Sequence, residues 1–391
     1  MDQWLHGGSK TYHNIKPVGD PLVERRHDDG ITRVGFHNVY GVDLNGGLEV
    51  AHEIDVIDEL GLDIQGMAEA KVPWNTKNRK DYDNMMDMVF GQVKTVYSSA
   101  EADYDCTYLP GGNLLTVNGE TAGRFKDRGT DKWGRFCWFT LRGRRDEGIL
   151  VVTAYRVCQE SRDNPGPTTA FTQQYAAMRA AGIKKPNPRQ QILNDIIELI
   201  DAKRKEGFRP IVMMDANGDP YHEKEPDKEF RKFIADAHLS DCFRERYPGQ
   251  INTYLYGTKR LDCILIDPAL TDAVERIGYL GTHEASFSDH VQAYVDFNSE
   301  RLFRGRMNRP ADIKSREFRL EQKDKVKEFL DDLIPKYKSR KLRSRVFKLL
   351  RAFRKYGNTD RNVAEYQQLD KEMVQLAVSA AKKVARRTYG Y

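Results

Sequence analysis

RPIVMMDANGD, residues 209–219, sets four consecutive apolar side chains, Ile211 to Met214, directly before a polar turn that carries Asp215 and Asn217. A short apolar run bounded by Pro210 and Gly218 reads as a buried strand that delivers its polar residues at one end. Upstream, PRQQILNDIIELIDAKRKEG (188–207) has helical spacing, with Pro188 near its start and Gly207 after its end. Further out, GRFCWFTLRG (134–143) and GILVVTAYRV (148–157) read as strands joined by the hairpin connection GRRDEG. Closer to the start, ITRVGFHNV (31–39) is a strand, LEVAHEIDVIDELG (48–61) a helix and LDIQGMAEA (62–70) a buried strand. GNLLTVNG (112–119), RLDCILID (260–267), AVERIGYL (273–280) and VQAYVDF (291–297) add strands. NRKDYDNMMDMVFGQVKTVYSS (78–99), AFTQQYAAMRAAG (170–182) and KEFRKFIADA (228–237) read as helices. Strands joined by both helices and hairpins are too mixed for a doubly wound sheet. They suit an α/β fold of two packed sheets with outer helices.

The 391 residues divide into three regions by composition. Residues 1–30 form a polar arm, 31–298 the α/β body, and 299–391 a charged helical tail without strand signals. Residues 301–391 hold 26 Lys and Arg against 11 Asp and Glu, a net of +15, and residues 1–300 are left with a net of −10. A basic tail on an acidic body points to nucleic acid or another anionic surface. Within it, residues 336–355 carry ten Lys/Arg and no acid, among them Arg340, Lys341, Arg343 and Arg345, beside an apolar face of Leu342, Val346, Leu349 and Phe353. A second stripe runs through Tyr366, Leu369, Met373, Leu376, Ala380 and Val384. The N-terminal residues lack the apolar core of a secretory signal. Five cysteines without a CxxC pair exclude a disulfide scaffold and a structural zinc site. A nuclear or cytoplasmic setting is expected, with no secretion and no membrane partner.

Polar residues recur where strands end: Asn38, Glu69 and Lys71, Tyr155 and Arg156, Asp215 and Asn217, Asp262, then Ser288-Asp289-His290. One such residue is an ordinary cap or turn; six such ends in this order are not. The order, carried by HNV, AEAK, TAYR, DAN, RLDCIL and SDH, resembles the endonuclease/exonuclease/phosphatase superfamily and spans residues 31–298. The resemblance implies a four-layer α/β sandwich and metal-dependent hydrolysis of phosphate esters, a reaction that needs charge compensation and an activated water. It places Mg²⁺, with Mn²⁺ as an alternative, on Glu69 with Asn38 beside it, and Asp289 as a further carboxylate. Asp215, supported by Asn217, would deprotonate the water, His290 fixed by Asp262 would hydrogen-bond the phosphate, and Tyr155 would touch its oxygens. Lys71 and Arg156 would hold the strand. Tyr40 departs from the family pattern, which often has Asn or Asp there. Metal binding then leans on Glu69 alone or draws in Asp43.

GGNLLTVNGETAGRF, VVTAYRVCQ, MMDAN and GYLGTHEASFSDH further resemble endonuclease domains of LINE-type (non-LTR) retrotransposons. Such a domain nicks DNA upstream of a reverse transcriptase, which this chain lacks. Phe329-Leu330-Asp331-Asp332 matches a polymerase FxDD box in letters but sits in a charged helical stretch. The expected activity is a Mg²⁺-dependent DNA endonuclease, with element RNA as a further partner of the basic tail. The alternatives are a phosphatase or phosphodiesterase of the same superfamily, or an inactive nucleic-acid-binding remnant.

Overall fold

The computed structural model describes residues 12–24, 29–42, 44, 48–99, 109–144, 147–158, 169–282, 284–285, 288–305, 323–357 and 359–384. The chain divides into two compact units, Met1–Met307 and Asn308–Tyr391. The strands are β1 (Val18–Gly19), β2 (Ile31–Asn38), β3 (Ile64–Ala68), β4 (Val93–Ser98), β5 (Asn113–Asn118), β6 (Phe125–Thr130), β7 (Phe136–Arg142), β8 (Gly148–Tyr155), β9 (Phe208–Asp215), β10 (Asp262–Ile266), β11 (Val274–Tyr279) and β12 (Ala293–Asn298). The helices of the body are α1 (Leu48–Glu59), α2 (Thr76–Phe90), α3 (Gly119–Ala122), α4 (Ala170–Ala180), α5 (Pro188–Lys205), α6 (Lys228–Asp236), α7 (Cys242–Arg246) and α8 (Ser299–Leu302). The second unit holds α9 (Lys323–Ser339), α10 (Leu342–Tyr356) and α11 (Asp360–Val384).

One sheet runs β1-β11-β12-β2-β3-β5-β4 and the other β10-β9-β8-β7-β6. Only β2–β3 and β8–β9 among these neighbours pair in parallel. Strand periodicity divides the apolar residues between layers. In β8, Ile149 and Val151 face the core between the sheets, while Leu150, Val152 and Ala154 face a second core. In β9, Ile211 and Met213 face the central core and Val212 and Met214 the second. That second core is completed by Ile192, Leu193, Ile196 and Ile200 of α5 and Phe230 and Phe233 of α6. Across the molecule, Val34, Phe36, Ile64 and Ala68 line the central core, and Met67 and Leu114 turn outward to Val50, Ile54 and Ile57 of α1 and Tyr82 and Met86 of α2. The result is helices, sheet, sheet, helices: the four-layer α/β sandwich. Apolar side chains on both faces explain why the central strands read as continuous apolar runs.

Three strands lie outside the sequence expectation. The helix over 78–99 ends at Phe90, because Gly91 at φ 69 closes it, and the β-branched and aromatic VKTVYS becomes β4. β6 is an exposed edge strand of mostly charged and small residues (FKDRGT), without the apolar alternation that marks a strand. β1 lies inside the polar arm and is set by its pairing with β11, not by its own pattern. The body also continues past Asn298 into α8, whose Leu302 is buried.

The second unit has its own small core of Leu333, Leu342, Leu349, Leu369, Leu376 and Ala380. Of the stripe on α11, Tyr366 is exposed, so the buried face is narrower than its spacing suggests. Helix α9 continues through Pro335. The FxDD letters fall inside this helix, and Asp332 is ion-paired with Lys336 and Lys383, a surface role.

Gly66 of β3 marks a close approach of the two sheets. A Cβ there would lie 2.7 Å from Met213 Cε and 2.9 Å from Thr153 Oγ1. Gly66→Val is therefore expected to lower stability by about 1–3 kcal/mol through overpacking, read as a shifted urea midpoint with an unchanged slope.

Candidate active site

The parallel pairs β2–β3 and β8–β9 end on the same side of their sheets, so the residues that follow them gather at one end of the sandwich. Asn38 closes β2, Glu69 follows β3, Tyr155 closes β8 and Asp215 closes β9. β10 runs antiparallel to β9, which places its first residue, Asp262, directly opposite Asp215.

Asn38 joins the two sheets. Its Nδ2 donates to Asp215 Oδ2 (2.7 Å) and to Glu69 Oε2 (3.1 Å), while its Oδ1 accepts the Tyr40 N–H (3.0 Å). Asp215 also accepts the backbone N–H of Asn217 at Oδ1 (2.9 Å) and the Asn217 side chain at Oδ2 (3.3 Å). His290 Nδ1 donates to Asp262 Oδ2 (2.7 Å), and that oxygen accepts the Thr253 hydroxyl as well (2.6 Å). Ser288 Oγ donates to the Asn38 carbonyl (2.5 Å) and accepts the His290 N–H (3.1 Å), which ties the Ser-Asp-His turn to the end of β2. Burial, then the nearby Glu69 carboxylate, raise the Tyr155 hydroxyl well above its usual range.

Backbone strain concentrates here. Tyr40, Glu69, Lys71 and Asn217 all have φ between 43° and 54°, a region side chains with a Cβ avoid.

The charges are strongly coupled. Burial, then the neighbouring Asp262 and Glu69 carboxylates, push the Asp215 carboxyl well above the usual range. Burial opposes the charged form of His290, but the Asp262 carboxylate outweighs it and raises the imidazole pKa. The raised pKa favours the imidazolium, and the Asp262 bond leaves Nε2 as its outward donor. Burial and Glu69 also raise Asp289.

Two observations bear on a metal. Asp289 Oδ1 is buried without a hydrogen-bond partner, which suits it, with Glu69, to a hard cation that takes oxygen ligands. Asp215, Asp262 and His290 also bring ligand atoms within 4.8 Å of one another. In that trio Asp262 Oδ2 already accepts from His290 and Thr253, while Asp262 Oδ1, like Asp289 Oδ1, is buried without a partner, so both groups offer a carboxylate oxygen to a cation. Asp43 lies outside the described residues.

The nucleic-acid contacts divide. Arg156 is fully buried. Its guanidinium binds Asp227 (2.7 Å), Glu229 (3.0 Å) and the carbonyls of Arg189 and Ala216. The expectation that it holds a strand is corrected: it braces the Asp215–Asn217 turn, and its own carbonyl accepts from Asn217 Nδ2 (2.8 Å). Lys71 is half-buried, its ammonium 3.4 Å above the Tyr40 ring. In the second unit Arg340 and Arg345 both pair with Glu372, while Lys341 and Arg343 are exposed.

Sequence reading did not single out Thr253, His37 or Cys158 for this site. His37 Nε2 donates to the His290 carbonyl (3.2 Å), and Cys158 Sγ donates to Asn217 Oδ1 (3.0 Å). Only Thr253 had a usable signal, a hydroxyl nine residues before Asp262.

The same architecture occurs in a solved structure. The AP endonuclease LMAP from Leishmania major is 15% identical to this chain with a TM-score of 0.51, covering 71% of this chain and 92% of its own. This is the endonuclease/exonuclease/phosphatase fold. Two other similar structures are a 3′ phosphatase, NExo, from Neisseria bound to a product DNA hairpin and the human Nocturnin catalytic domain with a bound sulfate. They are 16% and 15% identical, with TM-scores of 0.48 and 0.47; both cover 68% of this chain, and 99% and 94% of their own. No family model matches the sequence, and no curated protein does.

Asp262→Asn removes the carboxylate that raises His290. The imidazole is expected to titrate at lower pH in this variant, visible as a shifted midpoint of its ring resonances in an NMR titration; an unmoved midpoint would contradict the pairing.

Proposed function

We propose that the protein is a Mg²⁺-dependent phosphodiester hydrolase acting on DNA as a nicking endonuclease. The observation that carries this reading is Asp215: a buried carboxylate held by Asn38 and Asn217, facing the Asp262–His290 pair. A carboxylate with a raised pKa is a better base for a water proton, and Asn38 and Asn217 keep it aimed. His290, charged and oriented by Asp262, donates through Nε2 to a phosphate oxygen. Tyr155 is placed to hold the Glu69 side of the site. Glu69 and Asp289 would hold Mg²⁺, which would supply charge compensation for the phosphate. Mn²⁺ meets the same oxygen donors. Lys71 is the cation beside this cleft that we assign to the DNA backbone.

We assign the domain to a retrotransposon protein on the sequence resemblance of its TAYR, MMDAN and SDH segments. The regions we propose are the arm, residues 1–30, the catalytic body, 31–298, and the basic tail, 299–391. The tail supplies the positive field that the acidic body lacks, through residues such as Lys341 and Arg343, and takes DNA or element RNA.

With Mg²⁺ the protein is expected to convert supercoiled plasmid to the nicked form, and EDTA to stop it. Asp215→Asn and His290→Gln should each lower the rate by about 10²–10⁴. Release of phosphate from 3′ ends without nicking would replace the endonuclease reading with a phosphatase. No turnover with any divalent ion by the folded protein would leave a nucleic-acid-binding remnant.

Removing residues 308–391 should keep nicking at low salt but flatten the salt dependence of DNA binding. Five lost phosphate contacts would reduce the slope of log K against log salt by about 4 to 5. Equal slopes would assign the basic helices to another partner.

A further inference from the structure

Two buried arginines converge on the Asp215–Asn217 turn. Arg156 follows β8, and Arg189 is the second residue of α5. Both donate to one oxygen, Asp227 Oδ2: Arg156 from Nη1 at 2.7 Å and Arg189 from Nη2 at 3.1 Å. Two like charges gathered inside the protein need a counter-charge, and Asp227 supplies it. Burial opposes the charge on Asp227, but Arg156 outweighs it and holds the carboxyl below its usual range.

The remaining donors hold main-chain oxygens. Arg156 Nη1 donates to Ala216 O (3.2 Å), Arg189 Nη2 to Asn217 O (3.1 Å) and Arg189 Nη1 to Val157 O (2.5 Å). Asp227 ties the same turn to α6. Its Oδ1 caps that helix by accepting the Phe230 N–H (2.9 Å), and its own N–H donates to Asp219 O (2.8 Å). The fit is close, since a Cβ on Gly218 would lie 2.2 Å from Asp227 Oδ2. Asn217, at φ 43°, holds a conformation that persists only where the surroundings over-determine it. Here they fix the carbonyls of residues 216 and 217 and leave the Asp215 and Asn217 side chains to the cleft.

We propose that Arg189 and Asp227 are positioning residues for the hydrolytic reaction: with Arg156 they clamp the turn that aims Asp215 and Asn217. The inference rests on the nuclease reading and deepens it, since it extends the working parts of the site to the first turn of α5 and the cap of α6. The clamp acts through the main chain of the turn. Its loss is therefore a loss of aim, which lowers the rate of the bound complex and leaves substrate binding alone.

The test compares full-length variants in plasmid nicking. Asp227→Asn keeps the shape and removes the charge; Arg189→Lys keeps the charge and removes the fork. Each should lower kcat about 10²-fold with KM unchanged. In EDTA, hydrogen exchange of peptides spanning residues 215–219 should rise in both. Asp296→Asn is the control for stability. It breaks another buried pair, Arg33–Asp296 (2.6 Å), near the start of β2 and away from Asn38 at its end. It should lower the melting temperature while keeping the wild-type kcat and the wild-type exchange at residues 215–219. Guanidinium ion added below denaturing concentration should restore part of the kcat of Arg189→Ala and none of that of Asp227→Asn. Folded Asp227→Asn and Arg189→Lys proteins with the wild-type kcat would overturn the clamp and leave the nuclease reading standing. A raised KM at constant kcat would overturn it too, as would an equal kcat loss in Asp296→Asn. A folded wild type that nicks no plasmid would remove the nuclease reading and the clamp's catalytic role with it.

Discussion

The hydrogen bond from Asn38 to Asp215 joins the two sheets at the end of the sandwich where four carboxylates converge. Glu69, Asp215, Asp262 and Asp289 repel one another, and burial adds a desolvation cost to each charge. Such a group is stable only if donors and cations are arranged around it. Asn38 and Asn217 serve Asp215, Thr253 and His290 serve Asp262, and Asn38 serves Glu69. Asp262 and Asp289 each retain one buried oxygen without such a donor. The central core must hold the sheets at the separation these bonds require, and the close approach at Gly66 shows how little slack it has.

The electrostatics and the packing therefore depend on each other. The core residues of β8 and β9 bring Asp215 to the strand end, and the same backbone continues into the Asp215–Asn217 turn. Arg156 is the fastener of that turn. Its side chain is anchored to Asp227 and Glu229 near the start of α6, and its carbonyl takes the Asn217 amide. A residue that looks like a surface cation in the sequence is a buried brace, because the strand that ends at Tyr155 carries the chain inward for one residue more.

Much of the sandwich could be read from sequence because its central strands are apolar on both faces and stop at polar residues. The same contrast made Asn38, Glu69, Asp215, Asp262 and His290 visible. Elements defined by what they pair with were harder to see. β1 has two residues, β6 is charged, and β4 follows a helix whose end is signalled by Gly91 alone. Thr253, His37 and Cys158 were missed for a similar reason: each reaches the site through one side-chain bond to a residue distant in sequence. Tyr366 erred in the opposite direction, since helical spacing records a face but not how wide a face its neighbours cover.

Tyr40, Glu69, Lys71 and Asn217 share a backbone conformation that glycine adopts with far less strain. Glycine at any of the four would relax the chain locally, yet it would delete a side chain that reaches into the site. The strand ends are thus the part of the molecule where selection for thermal endurance and selection for turnover pull hardest in opposite directions. Variants recovered by screening for heat resistance alone should accumulate at these four positions and arrive there inactive.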